Sequence, residues 1–173
     1  MPSQNKLDQY YMSLALRVAE LSHGVRAKVG SCLVTENDVS ILSCNGLPKA
    51  LGNDLEYEAF GSVNIDSIDL LEAGGYYLPR HHQVVITIPE KRLISKPTVI
   101  HAELNAILKC AKEGVSVKGA TIYTTLSCCA QCASMLASCG ISRVVYLEEY
   151  RDTSGIGILN ECGIIVEKLN SEF

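Results

Sequence analysis

The sequence has no tryptophan and few aromatic residues, so its core must be mainly aliphatic. With 47% hydrophobic residues there is enough apolar material to fill one. Positive excess is also missing. A formal charge of −4 argues against a broad basic surface for nucleic acid. A small anionic substrate is still allowed, because it needs only a few local cations. No stretch approaches the ~20 apolar residues that span a bilayer, so no membrane partner is expected. The opening Met1-Pro-Ser-Gln-Asn-Lys-Leu-Asp lacks the apolar region of a secretory signal, and the expected compartment is the cytoplasm. There are no internal repeats and no low-complexity tracts. A chain of 173 residues then reads most simply as one domain over 1–173.

Cysteine, by contrast, is plentiful. Eight cysteines without a secretory signal suggest a reducing compartment, and clustered ones then point to metal. Cys128, Cys129 and Cys132 form that cluster. Cys32, Cys44, Cys110, Cys139 and Cys162 stand singly and are expected to be small buried side chains.

Apolar residues recur at helical spacing from Leu7 to Leu21 (Leu7, Tyr10, Tyr11, Leu14, Val18, Leu21), and Gly24 follows. Val29 to Val34 and Val39 to Ser43 read as a hairpin turning at Glu36-Asn37-Asp38. Periodicity fades over 49–98, which is expected to be an elaboration loop inserted in the domain. Within it, Ile65 to Ala73 reads as a short helix and Val84 to Ile88 as a short strand. His101 to Glu113 then reads as a helix with Leu104, Ile107 and Leu108 on one face. Ala120 to Thr125 is a strand, Cys129 to Cys139 a helix, Arg143 to Leu147 a strand, Ser154 to Glu161 a helix, and Ile164 to Leu169 a strand. Strands alternating with helices predict an α/β fold with parallel pairing near the C-terminal end.

Two motifs carry chemistry. His101-Ala-Glu103 opens one predicted helix and Cys129-Ala-Gln-Cys132 opens another. Cysteines at i and i+3 share a helix face, and a helix N-terminus favours their thiolates. One imidazole and two thiolates can hold a zinc ion with its fourth position open. A zinc so held makes hydroxide available at neutral pH. Glu103 is expected to move protons as a general base and acid, not to ligate. This combination is the signature of hydrolytic deamination of a base. The competing reading is a closed structural zinc with Cys128 as fourth ligand.

The runs His101-Ala-Glu-Leu-Asn-Ala-Ile-Leu108 and Gly119-Ala-Thr-Ile-Tyr-Thr-Thr-Leu-Ser-Cys-Cys-Ala-Gln-Cys132 resemble the deoxycytidylate (dCMP) deaminases of the zinc-dependent cytidine/deoxycytidylate deaminase family. Lys28-Val-Gly-Ser31 and Asn45-Gly-Leu-Pro48 resemble its first hairpin. Glu149-Tyr-Arg-Asp-Thr-Ser-Gly-Ile156 and Cys162-Gly-Ile-Ile-Val-Glu167 are similar to the tails of bacteriophage members. The likeness covers about 7–48 and 99–168; residues 49–98 match poorly. It implies a three-layer α-β-α sandwich with a mixed five-stranded sheet. It implies conversion of dCMP and water to dUMP and ammonia, which supplies thymidylate synthesis. It also implies a homo-oligomer, usually a hexamer, activated by dCTP with Mg²⁺ and inhibited by dTTP. The compartment is the host cytoplasm if the source is viral. By resemblance His101, Cys129 and Cys132 are the ligands of one zinc per chain, and Glu103 is the catalytic carboxylate. Asn45 contacts the sugar, the Ala102 backbone and the segment through Ser127 form the floor of the base pocket, and Tyr150 lies near the substrate.

There are two departures from the family pattern. Cys128 stands where the family usually has proline, so the choice of Cys129 over Cys128 rests on the two-residue gap to Cys132. The second zinc of some phage members needs histidines before His-Ala-Glu, and Arg92-Leu-Ile-Ser-Lys-Pro-Thr-Val-Ile100 has none, so that zinc is not expected. His81-His82 has no ligand partner at suitable spacing and reads as loop or interface. Arg26 and Lys28 before the first strand, and Arg151 after Tyr150, are the candidate phosphate ligands. The loop from Asn45 to Asp54 is the expected neighbourhood of effectors. The alternatives are a tRNA adenosine deaminase, which the acidic charge disfavours, a nucleoside deaminase, and a catalytically silent nucleotide sensor.

Overall fold

The computed structural model describes residues 2–65 and 84–170. It divides into two compact units, Met1–Leu55 with Pro97–Phe173, and Glu56–Lys96.

The larger unit is built on one five-stranded sheet. β1 (Gly30–Val34) pairs antiparallel with β2 (Ser40–Cys44) and with β5 (Thr121–Leu126). β5 then pairs parallel with β6 (Arg143–Glu148), and β6 with β7 (Ile165–Lys168). The sheet is therefore mixed and five-stranded, as expected. Alternation along the strands divides its two faces. Cys32, Val34, Tyr123 and Val145 point to one face and pack on α1 (Gln4–Ala19). Leu33, Ile122 and Val144 point to the other. There they meet α2 (Ala102–Glu113), α3 (Ala130–Ser138) and α4 (Ser154–Glu161) through Ile107, Leu136 and Leu159. The result is an α-β-α sandwich.

Two helix faces differ from the sequence expectation. In α1 the buried stripe is Asp8, Met12, Ala15 and Ala19, while Tyr10 is exposed, as is Leu21 just beyond the helix end. The cause is close packing. A Cβ on Gly30 would lie 2.0 Å from the Ala15 carbonyl oxygen, so only a small-residue stripe lets α1 approach β1 this closely. In α2 the buried set is Ala102, Glu103, Ala106, Ile107 and Cys110, and Leu108 is exposed. Of the scattered cysteines, Cys32 and Cys110 are buried, Cys44 and Cys139 half-buried, and Cys162 exposed, so burial does not extend to all five.

The smaller unit is an antiparallel ribbon of β3 (Glu56–Ile65) and β4 (Val84–Ser95), in register from Glu56↔Ser95 to Ile65↔Val84 with a shift between Phe60 and Gly61. The insert thus contains more regular structure than its weak periodicity suggested. Val84 begins a strand that runs past Ile88 to Ser95. Of the helix expected over Ile65 to Ala73, Ile65 instead ends β3; the rest of it and the pair His81-His82 lie outside the described residues.

Candidate active site

The N-termini of α2 and α3 meet. His101 is the N-cap of α2 and Cys129 the N-cap of α3, each with extended backbone and no side-chain cap bond. Their side chains are therefore free to turn to each other. His101 Nδ1 lies 3.4 Å from Cys129 Sγ and 3.5 Å from Cys132 Sγ. The three ligand atoms all lie within 4.8 Å of one another. Zinc bonds of 2.0–2.3 Å around a tetrahedral ion place neighbouring ligand atoms about 3.5 Å apart, so the donor set fits zinc. Among the described residues the cluster holds three donors, not four, and Cys128 is not one of them. His101 is exposed, Cys129 half-buried and Cys132 buried, which leaves one side of the cluster facing solvent.

The electrostatics follow from this packing. Hydrogen bonds from Cys132 and His101 pull Cys129 down to about 3, which makes it a thiolate at neutral pH. The same bond to Cys129 raises His101. Glu103 sits one residue into α2 and is only 3% exposed. Burial pushes its carboxyl above the usual range, while its own backbone N–H and the charge of His101 pull it partly back. Among the described residues its Oε2 is buried without a hydrogen-bond partner. A buried, unpaired carboxylate oxygen costs free energy unless a proton or a bound molecule meets it. Cys128 is buried beside that carboxylate; burial first, then the negative charge of Glu103, push its thiol well up. That makes Cys128 a neutral thiol, poorly suited to metal.

The other site residues fall into two groups. Ser127 is buried, its N–H donates to the Glu148 carbonyl, and its Oγ accepts the Tyr150 N–H at 2.8 Å. The Arg151 guanidinium carbon lies 5.6 Å from the centroid of the Tyr150 ring. Ser127, Tyr150 and Arg151 are thus linked. In the second group, Asn45 Oδ1 accepts the Val29 N–H at 2.9 Å and Asn45 Nδ2 donates to the Ala27 carbonyl at 3.1 Å. Asn45 therefore braces the segment that carries the exposed Arg26 and Lys28. Ala102 is fully buried.

Sequence reasoning missed the residues that dock α2 on the hairpin. Asn105 Nδ2 donates to the Cys44 carbonyl at 2.9 Å and Lys109 Nζ to the Leu42 carbonyl at 2.7 Å. Gly46 and Ile100 form a two-bond bridge just before His101. Polar residues at i and i+4 on a helix gave a weak signal for this.

Comparison with known proteins agrees with the geometry. The model of the "cytidine and deoxycytidylate deaminase zinc-binding region" matches residues 5–148. It runs through the insert and stops before the tail that resembles phage members. A deoxycytidylate deaminase of enterobacteria phage T2 is 32% identical, the match covering 93% of this chain and 93% of that protein. A probable deoxycytidylate deaminase of Drosophila melanogaster is 31% identical over 84% of this chain, which spans 61% of that protein's length. The crystal structure of dCMP deaminase from cyanophage S-TIM5 in complex with dCMP and dUMP is 27% identical, with a TM-score of 0.67 over 96% of this chain and 99% of that one. With its three-donor cluster, its buried carboxylate and a family match over most of its length, the chain belongs to the cytidine and deoxycytidylate deaminase family and is, by that membership, a zinc-binding hydrolytic deaminase.

Proposed function

We propose that the protein converts dCMP and water to dUMP and ammonia. One observation carries the reading: a buried Glu103, with one oxygen unpartnered among the described residues, stands two residues after His101 of the His101–Cys129–Cys132 cluster. His101, Cys129 and Cys132 hold a single zinc. When bound, zinc supplies hydroxide near neutral pH. Glu103 Oε2 takes a proton from water and passes it to the ring nitrogen beside the attacked carbon; it then takes the proton of the hydroxyl added to that carbon and delivers it to the amino group, which leaves as ammonia. The Ala102 backbone and the segment through Ser127 floor the base pocket, Asn45 contacts the sugar, and Tyr150 lies near the substrate. Arg26, Lys28 and Arg151 are the candidate phosphate ligands. The phosphate preference is supported by relatives named as deoxycytidylate deaminases and by the dCMP-bound cyanophage structure.

Beyond the reaction, we propose that the product dUMP feeds thymidylate synthesis in the cytoplasm, of the host if the source is viral. The active form is a hexamer, activated by dCTP with Mg²⁺ and inhibited by dTTP, with effectors near the loop from Asn45 to Asp54. No helix among the described residues is long and apolar enough to cross a membrane.

The experiment assays dCMP, deoxycytidine and cytosine side by side, with and without dCTP, in wild type and Glu103→Ala. Turnover of dCMP that disappears in the variant, with one zinc per chain kept, is expected. Preference for deoxycytidine would favour nucleoside deamination, and dCTP binding without ammonia release would favour a sensor.

A further inference from the structure

A buried polar cluster lies directly under the His101–Glu103 motif. Ser31 on β1 and Ser43 on β2 are cross-strand partners, and both are fully buried. Their hydroxyl oxygens are 2.9 Å apart. Both reach the same acceptor: Ser43 Oγ donates to the Ala102 carbonyl at 2.7 Å and Ser31 Oγ at 2.9 Å. Hydroxyls in a sheet interior cost free energy unless they are satisfied, and here one backbone oxygen satisfies both.

Ala102 is the residue between the imidazole and the carboxylate. Its carbonyl belongs to the peptide unit that joins Ala102 to Glu103, and that unit is planar and trans. Fixing the oxygen at one edge fixes the Glu103 N–H at the other. Two strand serines thus hold, through one rigid peptide, the backbone of the residue that carries the buried carboxylate. Asn105, Lys109 and the Gly46–Ile100 bridge dock the body of α2 and the residue before His101. Among the described residues, the serines are the side chains that hold the carbonyl between His101 and Glu103.

We propose that Ser31 and Ser43 act together as positioning residues, setting the tilt of the Ala102–Glu103 peptide and so the aim of Glu103 and of the adjoining His101; the proposal rests on the deaminase reading above. Loss of both hydroxyls leaves α2 docked but lets this peptide rotate. Small misplacements of a reacting group are costly in rate even when binding is kept.

The test uses the zinc-loaded full chain and Ser31→Ala, Ser43→Ala and their double variant. Tyr123→Phe serves as comparison, since it removes a buried hydroxyl on the opposite face of the sheet. The double variant is expected to lose about tenfold or more in kcat for dCMP, with KM within about twofold of wild type. It is also expected to release zinc to a chelating dye several-fold faster. Tyr123→Phe is expected to lower the melting temperature while keeping wild-type kcat and zinc release. Wild-type kcat and zinc release in the double variant, or equal losses in Tyr123→Phe, would overturn the proposal. If the double variant does not fold, Ser43→Ala, which removes the shorter contact, decides by the same two readouts. A wild type inactive on dCMP would reject the functional reading alone, and the zinc-release comparison would still judge the serines.

Discussion

Gly155, in the first turn of α4, approaches the Cys128 carbonyl so closely that a Cβ on it would sit 2.0 Å from that oxygen. The obstacle is backbone, which cannot swing aside. The peptide involved leads straight into Cys129, the N-cap of α3. Gly155→Ala should therefore displace the loop bearing one proposed zinc ligand. The expected cost is about 1–3 kcal/mol of stability, with weaker zinc retention read by a chelator. Gly157 is the contrast, because nothing among the described residues lies within 4 Å of its added Cβ. Gly157→Ala should be neutral or stabilise by about 0.5–1 kcal/mol through helix propensity. Equal melting temperatures for the two variants would show that the close approach is unimportant.

Cys128 and Cys129 are adjacent in sequence but differ in chemistry. Cys129 faces His101 and Cys132 and is drawn towards thiolate by them, whereas Cys128 is buried against Glu103 and held as thiol. Cys129→Ala is expected to abolish stoichiometric zinc, and Cys128→Ala to keep it. Elemental analysis of the two purified variants decides. Zinc kept in Cys129→Ala and lost in Cys128→Ala would make Cys128 the ligand.

Much of this was legible in sequence because period and spacing record backbone geometry. Alternation in Cys32, Leu33 and Val34 and in Ile122 and Tyr123 marks the two faces of a sheet covered by helices on both sides. Cys129 and Cys132 at i and i+3 mark a shared helix face. What the sequence hid were choices made by tertiary contact. The large side chains Tyr10, in α1, and Leu21, just past its end, look like the buried face; the helix instead turns Ala15 and Ala19 to β1, where only small residues fit. Nor does an apolar pattern single out Asp8 as buried, because its partners come from distant strands. Ser31 and Ser43 gave no signal until the hairpin register paired them under Ala102.

Asp8 is the clearest source of pH dependence. Its Oδ1 accepts from Tyr123 Oη at 2.8 Å and Arg143 Nη1 at 2.8 Å, and its Oδ2 from Arg143 Nη2 at 2.7 Å. Glu167 holds the other edge of the same guanidinium through Arg143 Nε at 2.6 Å. Burial alone would raise Asp8, but hydrogen bonds from Arg143, Gln4 and Tyr123 outweigh it and lower the carboxyl below its ordinary 3.8. A carboxylate lowered on folding stabilises fully above the unfolded value. That contribution is lost as pH falls through the folded value. Stability should therefore drop below about pH 4, and Asp8→Asn should flatten this part of the curve. At neutral pH Asp8→Ala should cost about 3 kcal/mol, because a largely buried guanidinium loses its two-point partner. Urea denaturation of wild type and both variants from pH 3 to 7 is the check. Parallel curves for wild type and Asp8→Asn would place the acid sensitivity elsewhere.

The phosphate contact is open to a sharper test than loss of activity. Arg26 and Lys28 lie on the segment that Asn45 braces through Val29 and Ala27, while Arg151 lies over Tyr150. A charge-assisted bond to phosphate contributes about 1.5–3 kcal/mol, or about 10- to 100-fold in affinity. Replacing the true ligand by alanine should raise KM for dCMP by that factor and leave KM for deoxycytidine nearly unchanged, because the nucleoside has no phosphate to lose. If the ligand is Arg26 or Lys28, Asn45→Ala should produce part of the same substrate-dependent change by loosening the segment. If it is Arg151, Asn45→Ala should raise KM for both substrates alike through the sugar contact, and Tyr150→Ala should raise KM for dCMP beyond whatever rise it causes for deoxycytidine. A variant that raises KM equally for dCMP and deoxycytidine acts on the base or sugar end, and its cation is then not the phosphate ligand.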